Sequence, residues 1–260
     1  MAVLATTKPS LGEPSGMVNG LTFLTRGANL ITHKELRLFV LVPLLINIVL
    51  FFVLTGILIQ QFDSAVGWLL GWLPSWLDFI SWFIWSLFAA TVLVIYGYSF
   101  SIITNIIAAP FYGLLAERAE GLITGKRPDS EPLSEMIPRT LGREMLKLWY
   151  FISRGAAIFI ISIVLSFIPI VNILVPVIAI LWGAWSMSIQ YVDYPADNHQ
   201  LAFTELRKRL GGNLTHSYTF GGLVMLGTMV PILNIFIMPV AVVGGTYYWV
   251  EKLTLVKAEK

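Results

Sequence analysis

The sequence predicts an all-α integral membrane protein, because its composition is strongly apolar and its charges avoid one long stretch. Of the 260 residues, 57% are hydrophobic and 12% are charged, whereas a soluble domain carries about 25% charged residues. All 17 Lys and Arg lie outside residues 38–117, and the acids of that stretch are Asp63, Asp78 and Glu117. A soluble fold could not expose so long a segment with so little charge. We therefore expect one membrane domain over the whole chain.

Two apolar runs are long enough to cross a bilayer. Residues 38–59 form an uncharged run of 22 residues, and about 20 helical residues cover the hydrocarbon core. Residues 79–110 extend over 32 residues, about 48 Å as a straight helix, so this helix is expected to tilt or to project beyond the bilayer. The loop between the two runs contains Trp68, Trp72 and Trp76, which is typical of a membrane interface.

The distribution of basic residues predicts the orientation. Residues 60–78 contain no Lys or Arg, whereas residues 1–37 contain four and residues 111–154 contain seven. By the positive-inside rule the Trp-rich loop is periplasmic and both basic flanks are cytoplasmic. Residues 1–18 lack the apolar core of a signal peptide and are expected to form a flexible cytoplasmic tail. Residues 117–154 are expected to form an amphipathic cytoplasmic region.

The last third of the chain contains an internal repeat, over residues 155–190 and 217–250. Each copy consists of an apolar helix, a Pro-x-x-Asn sequence and a second apolar helix, with the asparagines at Asn172 and Asn234. The first arms have only 14 and 11 apolar residues, and runs of that length are more often re-entrant than spanning. We therefore favour two helical hairpins that enter from the cytoplasm and turn at the asparagines. Four ordinary spans with tight periplasmic turns are the alternative, and both place the two termini in the cytoplasm.

The residue types needed for catalysis or for a cofactor are scarce. The chain has no cysteine, its three histidines are dispersed, and no P-loop, GxSxG or GxGxxG motif occurs. Asp193, Asp197 and His199 could by themselves be a metal cluster, but such a run is more often a hydrogen-bonded turn after a transmembrane helix. We therefore predict no catalytic residue, cofactor or metal. The net charge of +2, without a basic and aromatic platform, argues against nucleic acid.

The polar residues at membrane depth are neutral, and four asparagines stand out, namely Asn47, Asn105, Asn172 and Asn234. Asparagines within membrane helices form interhelical hydrogen bonds or line a permeation path, and the sequence leaves both interpretations open. A cation path would ordinarily contain acidic residues. A neutral path rich in donors, with basic ends, is better suited to an anion.

The segment before the first spanning run is the best candidate anion site. Thr32 is expected to be the N-cap of that helix and Glu35 to complete a capping box. A helix N-terminus with free N–H groups binds oxyanions, and the Arg37 guanidinium adds a planar pair of donors. Arg26 and Lys34 supply further positive charge. The alternative is that these basic side chains only anchor the helix at lipid headgroups.

Several long motifs are more specific than apolar helices alone. They are GLxxL from Gly20, LRxFVxxPLLIN from Leu36 to Asn47, NxIAAPFxGLLAE from Asn105 to Glu117, QYxDYPxDNH from Gln190 to His199, and PxLNxFIMPVAV from Pro231 to Val242. In these motifs the sequence resembles the CysZ family of bacterial sulfate permeases, over about residues 16–250. The resemblance implies uptake of sulfate across the inner membrane for cysteine synthesis, without an ATP-binding domain.

The resemblance also implies a sulfate-binding segment around the first spanning helix. Its expected residues are Gly20, Leu21, Arg26, Lys34, Leu36 and Arg37. Family members tend to have a basic pair there, and because Leu38 occupies the second position, only Arg37 matches. Expected partners are sulfate, with sulfite as a second candidate, membrane lipid, and further copies of the chain in a homo-oligomer. The competing hypotheses are a non-transporting scaffold or regulator of sulfate assimilation, which could dock partners on residues 117–154, and an intramembrane enzyme.

Overall fold

The computed structural model describes residues 16–72, 81–128 and 131–254. Every regular element in these ranges is helical. The elements are α1 (Gly16–Leu30), α2 (Arg37–Gly71), α3 (Ser81–Thr124), α4 (Leu133–Ser166), a 3₁₀ turn (Val171–Ile173), α5 (Leu174–Asn198), α6 (Phe203–Gly211), α7 (Leu214–Thr228), α8 (Pro231–Tyr248) and a π-turn (Trp249–Leu253). The all-α prediction is confirmed. The predicted tail up to residue 15, Trp76 and the start of the second run lie outside the described residues.

Four of the helices, and not two, are long and apolar enough to cross a membrane. These spans cover Arg37–Trp68, Trp85–Thr124, Leu133–Ser166 and Val171–Asn198. The two predicted runs are parts of the first two spans. The third candidate span is a single helix that continues through Arg154, the predicted boundary between the amphipathic region and the first hairpin. Residues 154–158 contain no proline and only one glycine, so the charged segment and the apolar arm form the single helix α4.

Helices α2 and α3 form a long antiparallel hairpin. Thr55 Oγ1 and Tyr96 OH are hydrogen-bonded at 2.6 Å across it, and the ring of Phe51 meets that of Phe100 edge to face at 6.2 Å. Most of its outer apolar side chains are exposed, including Phe52 at 70%. Because exposed apolar surface of this extent is stable only in lipid, the hairpin has the surface of a membrane-spanning unit.

The buried core lies beyond Pro110, a proline inside α3. After it α3 becomes buried, with Tyr112, Leu115 and Ala116 all at 3% exposure or less, and this half packs against α4, α5 and α8. Helices α1, α5, α7 and α8 complete the core. A Cβ on Gly221 of α7 would collide with the Ala184 carbonyl of α5, so glycine is required for this close approach of two backbones.

The two predicted hairpins occur as helix–turn–helix pairs, and the asparagine lies in the turn only in the first. There Asn172 is in the 3₁₀ turn between α4 and α5, two residues after Ile170, which has a φ of 73°. In the second pair Pro231 is the first residue of α8. The Asn234 N–H donates to the Val230 carbonyl at 2.8 Å. Asn234 therefore lies in the first turn of α8, where its side chain can face another helix.

Candidate anion site and permeation path

The turn between α1 and α2 differs from the predicted capping box. The Thr32 hydroxyl donates to the Asn29 carbonyl at 2.8 Å, so Thr32 ends α1 and does not begin α2. The Leu36 carbonyl accepts from the Val40 N–H at 3.2 Å, and α2 begins at Arg37. Leu36 is therefore the N-cap, and it has no side-chain acceptor. Without such an acceptor, the first N–H groups of α2 are open to an external ligand.

Two of the predicted basic residues lie at this helix start. The Arg37 Nε donates to the Thr32 carbonyl at 3.0 Å, which holds the guanidinium beside the turn, and Lys34 is exposed. The carboxylate of Glu35, expected in the capping box, is instead paired with Arg127 at 3.1 Å. The segment therefore presents Lys34 and Arg37 while its own acid is paired elsewhere.

Arg26 has an internal partner. Its Nη1 lies 2.5 Å from Glu251 Oε1, and its guanidinium lies 4.0 Å from the centre of the Tyr247 ring. Both charged side chains are about two-fifths exposed. An anion that bound Arg26 would compete with the Glu251 carboxylate.

The apolar residues of the predicted binding segment have structural positions. Gly20 is buried where α1 crosses α7, and a Cβ there would lie 2.9 Å from the Phe220 nitrogen. Leu36 is fully buried, whereas Leu21 is 53% exposed and lines an apolar groove between α1, α7 and α8. The close packing at Gly20 therefore fixes α1 against α7, and the buried Leu36 fixes the α1–α2 turn.

Three of the four predicted asparagines line one cavity. Asn47 of α2, Asn105 of α3 and Asn234 of α8 face a space of about 760 Å³. Asn172 is exposed on the other hairpin and takes no part. The remaining lining residues are Val40, Leu44, Ile48, Phe51, Phe52, Gly97, Phe100, Thr104, Tyr112, Phe236, Met238 and Pro239. The cavity thus has apolar walls and a small number of neutral polar groups.

Three polar atoms of the cavity's lining residues are not used by the fold. Asn47 Oδ1, Thr104 Oγ1 and Asn234 Oδ1 are buried and have no hydrogen-bond partner among the described residues. A buried polar group without a partner costs about 1–3 kcal/mol, and all three of these atoms belong to residues that line this one cavity. Rotation of each carboxamide can turn its NH₂ group toward the cavity. The arrangement is suited to a small polar solute that accepts hydrogen bonds.

A network of charged side chains joins α4 to α5, and the sequence analysis missed it. Two nitrogens of Arg143 donate to the Asp193 carboxylate at 2.7 to 3.2 Å. Lys147 Nζ lies 2.5 Å from Glu144 and 3.3 Å from Asp193. Arg139 pairs with Asp197 at 2.6 Å. The signal was present, because the three bases recur every fourth residue on α4 and the two aspartates are four apart on α5.

The DYPxDNH motif is helical and is not the predicted turn. Helix α5 continues to Asn198, whose Nδ2 donates to the Gly113 carbonyl of α3 at 2.8 Å. His199 Nε2 lies 2.8 Å from Glu120 Oε1. The motif therefore fastens α5 to α3 and α4. No grouping of His, Asp and Glu suitable for a metal ion occurs in the described part of the chain.

Comparison with known proteins gives a family match over most of the chain. Residues 23–239 match the family described as Sulfate transporter CysZ/Etoposide-induced protein 2.4. This chain belongs to that family. The curated relative "Sulfate transporter CysZ" of Pseudomonas fluorescens (strain Pf0-1) is 44% identical over 245 residues, which cover 92% of this chain and 96% of the relative. The protein of the same name from Salmonella enteritidis PT4 (strain P125109) is 41% identical over 237 residues, 90% of this chain and 92% of the relative.

The CysZ family match covers the main features of the structure. Its 23–239 range includes the asparagine cavity, the α4–α5 charge network and the start of α2. Gly20 and Leu21 lie before the matched range, and Glu251, the partner of Arg26, lies after it. The resemblance stated from the sequence motifs is thereby confirmed at the level of the family.

Proposed function

We propose that this protein is a sulfate permease, a channel or uniporter that carries sulfate across the bacterial inner membrane for cysteine biosynthesis. The observation that carries the proposal is the cavity of Asn47, Asn105 and Asn234 in a chain whose relatives are named sulfate transporters. Its lining contains no acidic side chain, which favours an anion over a cation. Sulfite, a smaller oxyanion with the same acceptor chemistry, is a second candidate substrate.

Helix α2 connects the basic turn to the cavity. Arg37, Val40, Leu44 and Asn47 follow one another at spacings of three or four residues, so they lie on one face of the helix. Val40, Leu44 and Asn47 line the cavity. From Arg37 to Asn47 the axial distance is about 15 Å. We propose that sulfate passes along this face between the cavity and Arg37, with Lys34 and Arg26 adding positive charge at the cytoplasmic mouth.

We propose that the binding segment at this mouth consists of the six residues predicted from the sequence. Gly20, Leu21 and Leu36 support it by fixing α1 and the turn, and Arg26, Lys34 and Arg37 supply the charge. The observation that supports it is the open start of α2, where the N-cap Leu36 has no side-chain acceptor. A tetrahedral oxyanion fits such N–H groups and a neighbouring guanidinium.

We propose that both hairpins are re-entrant from the cytoplasm, with both termini on that side. Helix α7 has 15 residues, about 22 Å, which is shorter than the hydrocarbon core of about 30 Å. Helix α4 is longer, but its charged part extends to Arg154, and residues 155–166 reach only about 18 Å. The absence of basic residues from both turns agrees with this arrangement.

We propose further that the path is completed in a homo-oligomer. Only α2, α3 and α8 line the cavity, and the outer faces of α2 and α3 are exposed and apolar. A second copy against this hairpin would enclose the polar groups from the lipid. A non-transporting scaffold is the weaker candidate, because a scaffold gives no reason for unsatisfied polar groups around a cavity.

Sulfate flux into liposomes holding the purified protein tests the proposal. The wild-type protein should admit radiolabelled sulfate, and Asn234→Leu should lower the flux about tenfold or more by removing a polar group from the cavity. The matched control is Asn172→Leu, in the equivalent repeat but outside the cavity, which should retain wild-type flux. Flux no greater than that of empty liposomes, with folded protein present, would contradict the proposed function.

A further inference from the structure

Arg207 of α6 is a partly buried cation that has no acidic partner among the described residues. It belongs to none of the ion pairs formed by the described residues. Its Nε is buried and has no hydrogen-bond partner among them. The neighbouring Arg209, by contrast, binds Glu205 and the Leu253 carbonyl. Arg207 therefore keeps donors that the fold does not use.

Two aromatic rings hold this guanidinium in place. It lies 4.7 Å from the centre of the Tyr150 ring and 5.0 Å from that of Phe203. Cation–π contacts orient a guanidinium without neutralising its charge. The positive charge is therefore fixed at one point, where helices α4 and α6 meet.

Tyr150, the ring that holds Arg207, contacts two tryptophans that line an apolar groove. The groove has a volume of about 370 Å³ and is lined by Ile158, Ile178, Leu181, Trp182, Trp185, Leu214 and Tyr218, from helices α4, α5 and α7. The Tyr150 ring lies 5.9 Å from that of Trp182, and its hydroxyl accepts from Trp185 Nε1 at 3.1 Å.

A second basic residue, Arg154, lies on the same face of α4 as Tyr150 and the groove residue Ile158. Tyr150, Arg154 and Ile158 are each four residues apart on α4, so they form one row along that helix. Arg154 is exposed and belongs to no ion pair of the described residues. The row therefore runs from Tyr150, whose ring contacts Arg207, through Arg154 to Ile158, which lines the groove.

We propose that this site binds an acidic phospholipid of the cytoplasmic leaflet, with its phosphate on Arg207 and Arg154 and an acyl chain in the groove. The ligand must combine an anion with a long apolar chain, because the groove alone would accept any lipid and the cations alone any anion. Basic pockets between membrane helices on the cytoplasmic side bind acidic headgroups in this manner. The proposal is independent of sulfate transport.

Native mass spectrometry of the detergent-solubilised full-length protein, titrated with lipid, tests the site. Phosphatidylglycerol should bind more tightly than phosphatidylcholine with the same acyl chains. Arg207→Gln should weaken phosphatidylglycerol binding about fivefold, the effect of one basic residue near an acidic headgroup, and weaken phosphatidylcholine binding less, because the choline offsets the charge of its phosphate. Lys126→Gln, which removes a cytoplasmic charge outside the groove, should bind as the wild-type protein does.

A second variant tests the groove with both charges intact. Ile158→Trp should fill the groove and weaken the binding of both lipids, which also covers the case in which Arg207→Gln does not fold. Equal binding of the two lipids by the wild-type protein, or wild-type affinity in both variants, would overturn the proposal. Displacement of phosphatidylglycerol by millimolar sulfate would also overturn it, because it would show a site for free anions.

Discussion

Lys147 is the residue of the charge network whose removal has the clearest expected consequence. Its side chain is 1% exposed and lies 2.5 Å from Glu144, which is 6% exposed. It also lies 3.3 Å from Asp193, while Arg143 pairs with the same aspartate at 2.7 Å. These two bases and two acids are balanced in charge. Lys147→Met would retain the volume of the side chain and leave the Glu144 carboxylate buried without a cation.

The expected cost follows from the geometry. Breaking a buried ion pair by removing one partner costs about 3–5 kcal/mol, which for a protein of this size lowers the melting temperature by on the order of 10 °C. Removing both charges should recover much of this loss, because the penalty comes from the unpaired charge. We therefore expect Lys147→Met/Glu144→Gln to be at least about 2 kcal/mol more stable than Lys147→Met alone.

Thermal unfolding in one detergent, followed by tryptophan fluorescence, measures these differences. Lys126→Met, a change at an exposed lysine, is the matched control and should stay within about 0.5 kcal/mol of the wild-type protein. A loss below about 1 kcal/mol in Lys147→Met would show that the pairing does not hold α4 to α5. A double variant as unstable as the single one would show that lost packing, and not the unpaired carboxylate, explains the effect.

Three further changes test other contacts. Glu251→Gln should free Arg26 and strengthen sulfate binding severalfold in equilibrium titration. The stability should change by less than about 1 kcal/mol, because the pair is half-exposed. Unchanged binding would remove Arg26 from the site. Arg37→Ala should weaken sulfate binding about tenfold in the same titration while the melting temperature stays constant, and unchanged affinity would move the site away from the start of α2. Gly221→Ala should destabilise by about 1–3 kcal/mol or more through its collision with α5, whereas Gly56→Ala, which meets no neighbour, should be neutral or slightly stabilising in thermal unfolding.

The sequence predicted those helices whose structure follows from composition alone. The uncharged stretch after Arg37 predicted α2 and α3, because only helices satisfy their own backbone hydrogen bonds in lipid. The break between α3 and α4 occurs where Gly125 has a φ of 74°, a conformation that favours glycine. Three of the four asparagines chosen from their depth in the membrane line one cavity.

The errors of the sequence analysis share one physical cause, which is that tertiary partners decide local structure. Thr32 and Glu35 fit a capping box, but their side chains bind Asn29 and Arg127. Asp193 in the DYPxDNH motif looked like a turn residue. It remains in a helix because Arg143 and Lys147 of α4 take up its carboxylate, and no pattern within α5 alone identifies those partners.

The charge network contributes no residue to the lining of the asparagine cavity, which bears on how a dianion could move. Arg143 and Lys147 are neutralised by buried acids, so they add little net positive potential at the cavity. The lining of the cavity contains only neutral side chains, and Lys34 and Arg37, which form no ion pair with the described residues, lie near the start of α2. Conduction requires a site that is attractive enough to enter and weak enough to leave. A fixed cation among Asn47, Asn105 and Asn234 would hold sulfate by a charge-assisted contact, whereas carboxamides and a hydroxyl hold it loosely. If sulfate takes the proposed path, this use of charge to fasten helices and of neutral donors to line the path favours flux over retention.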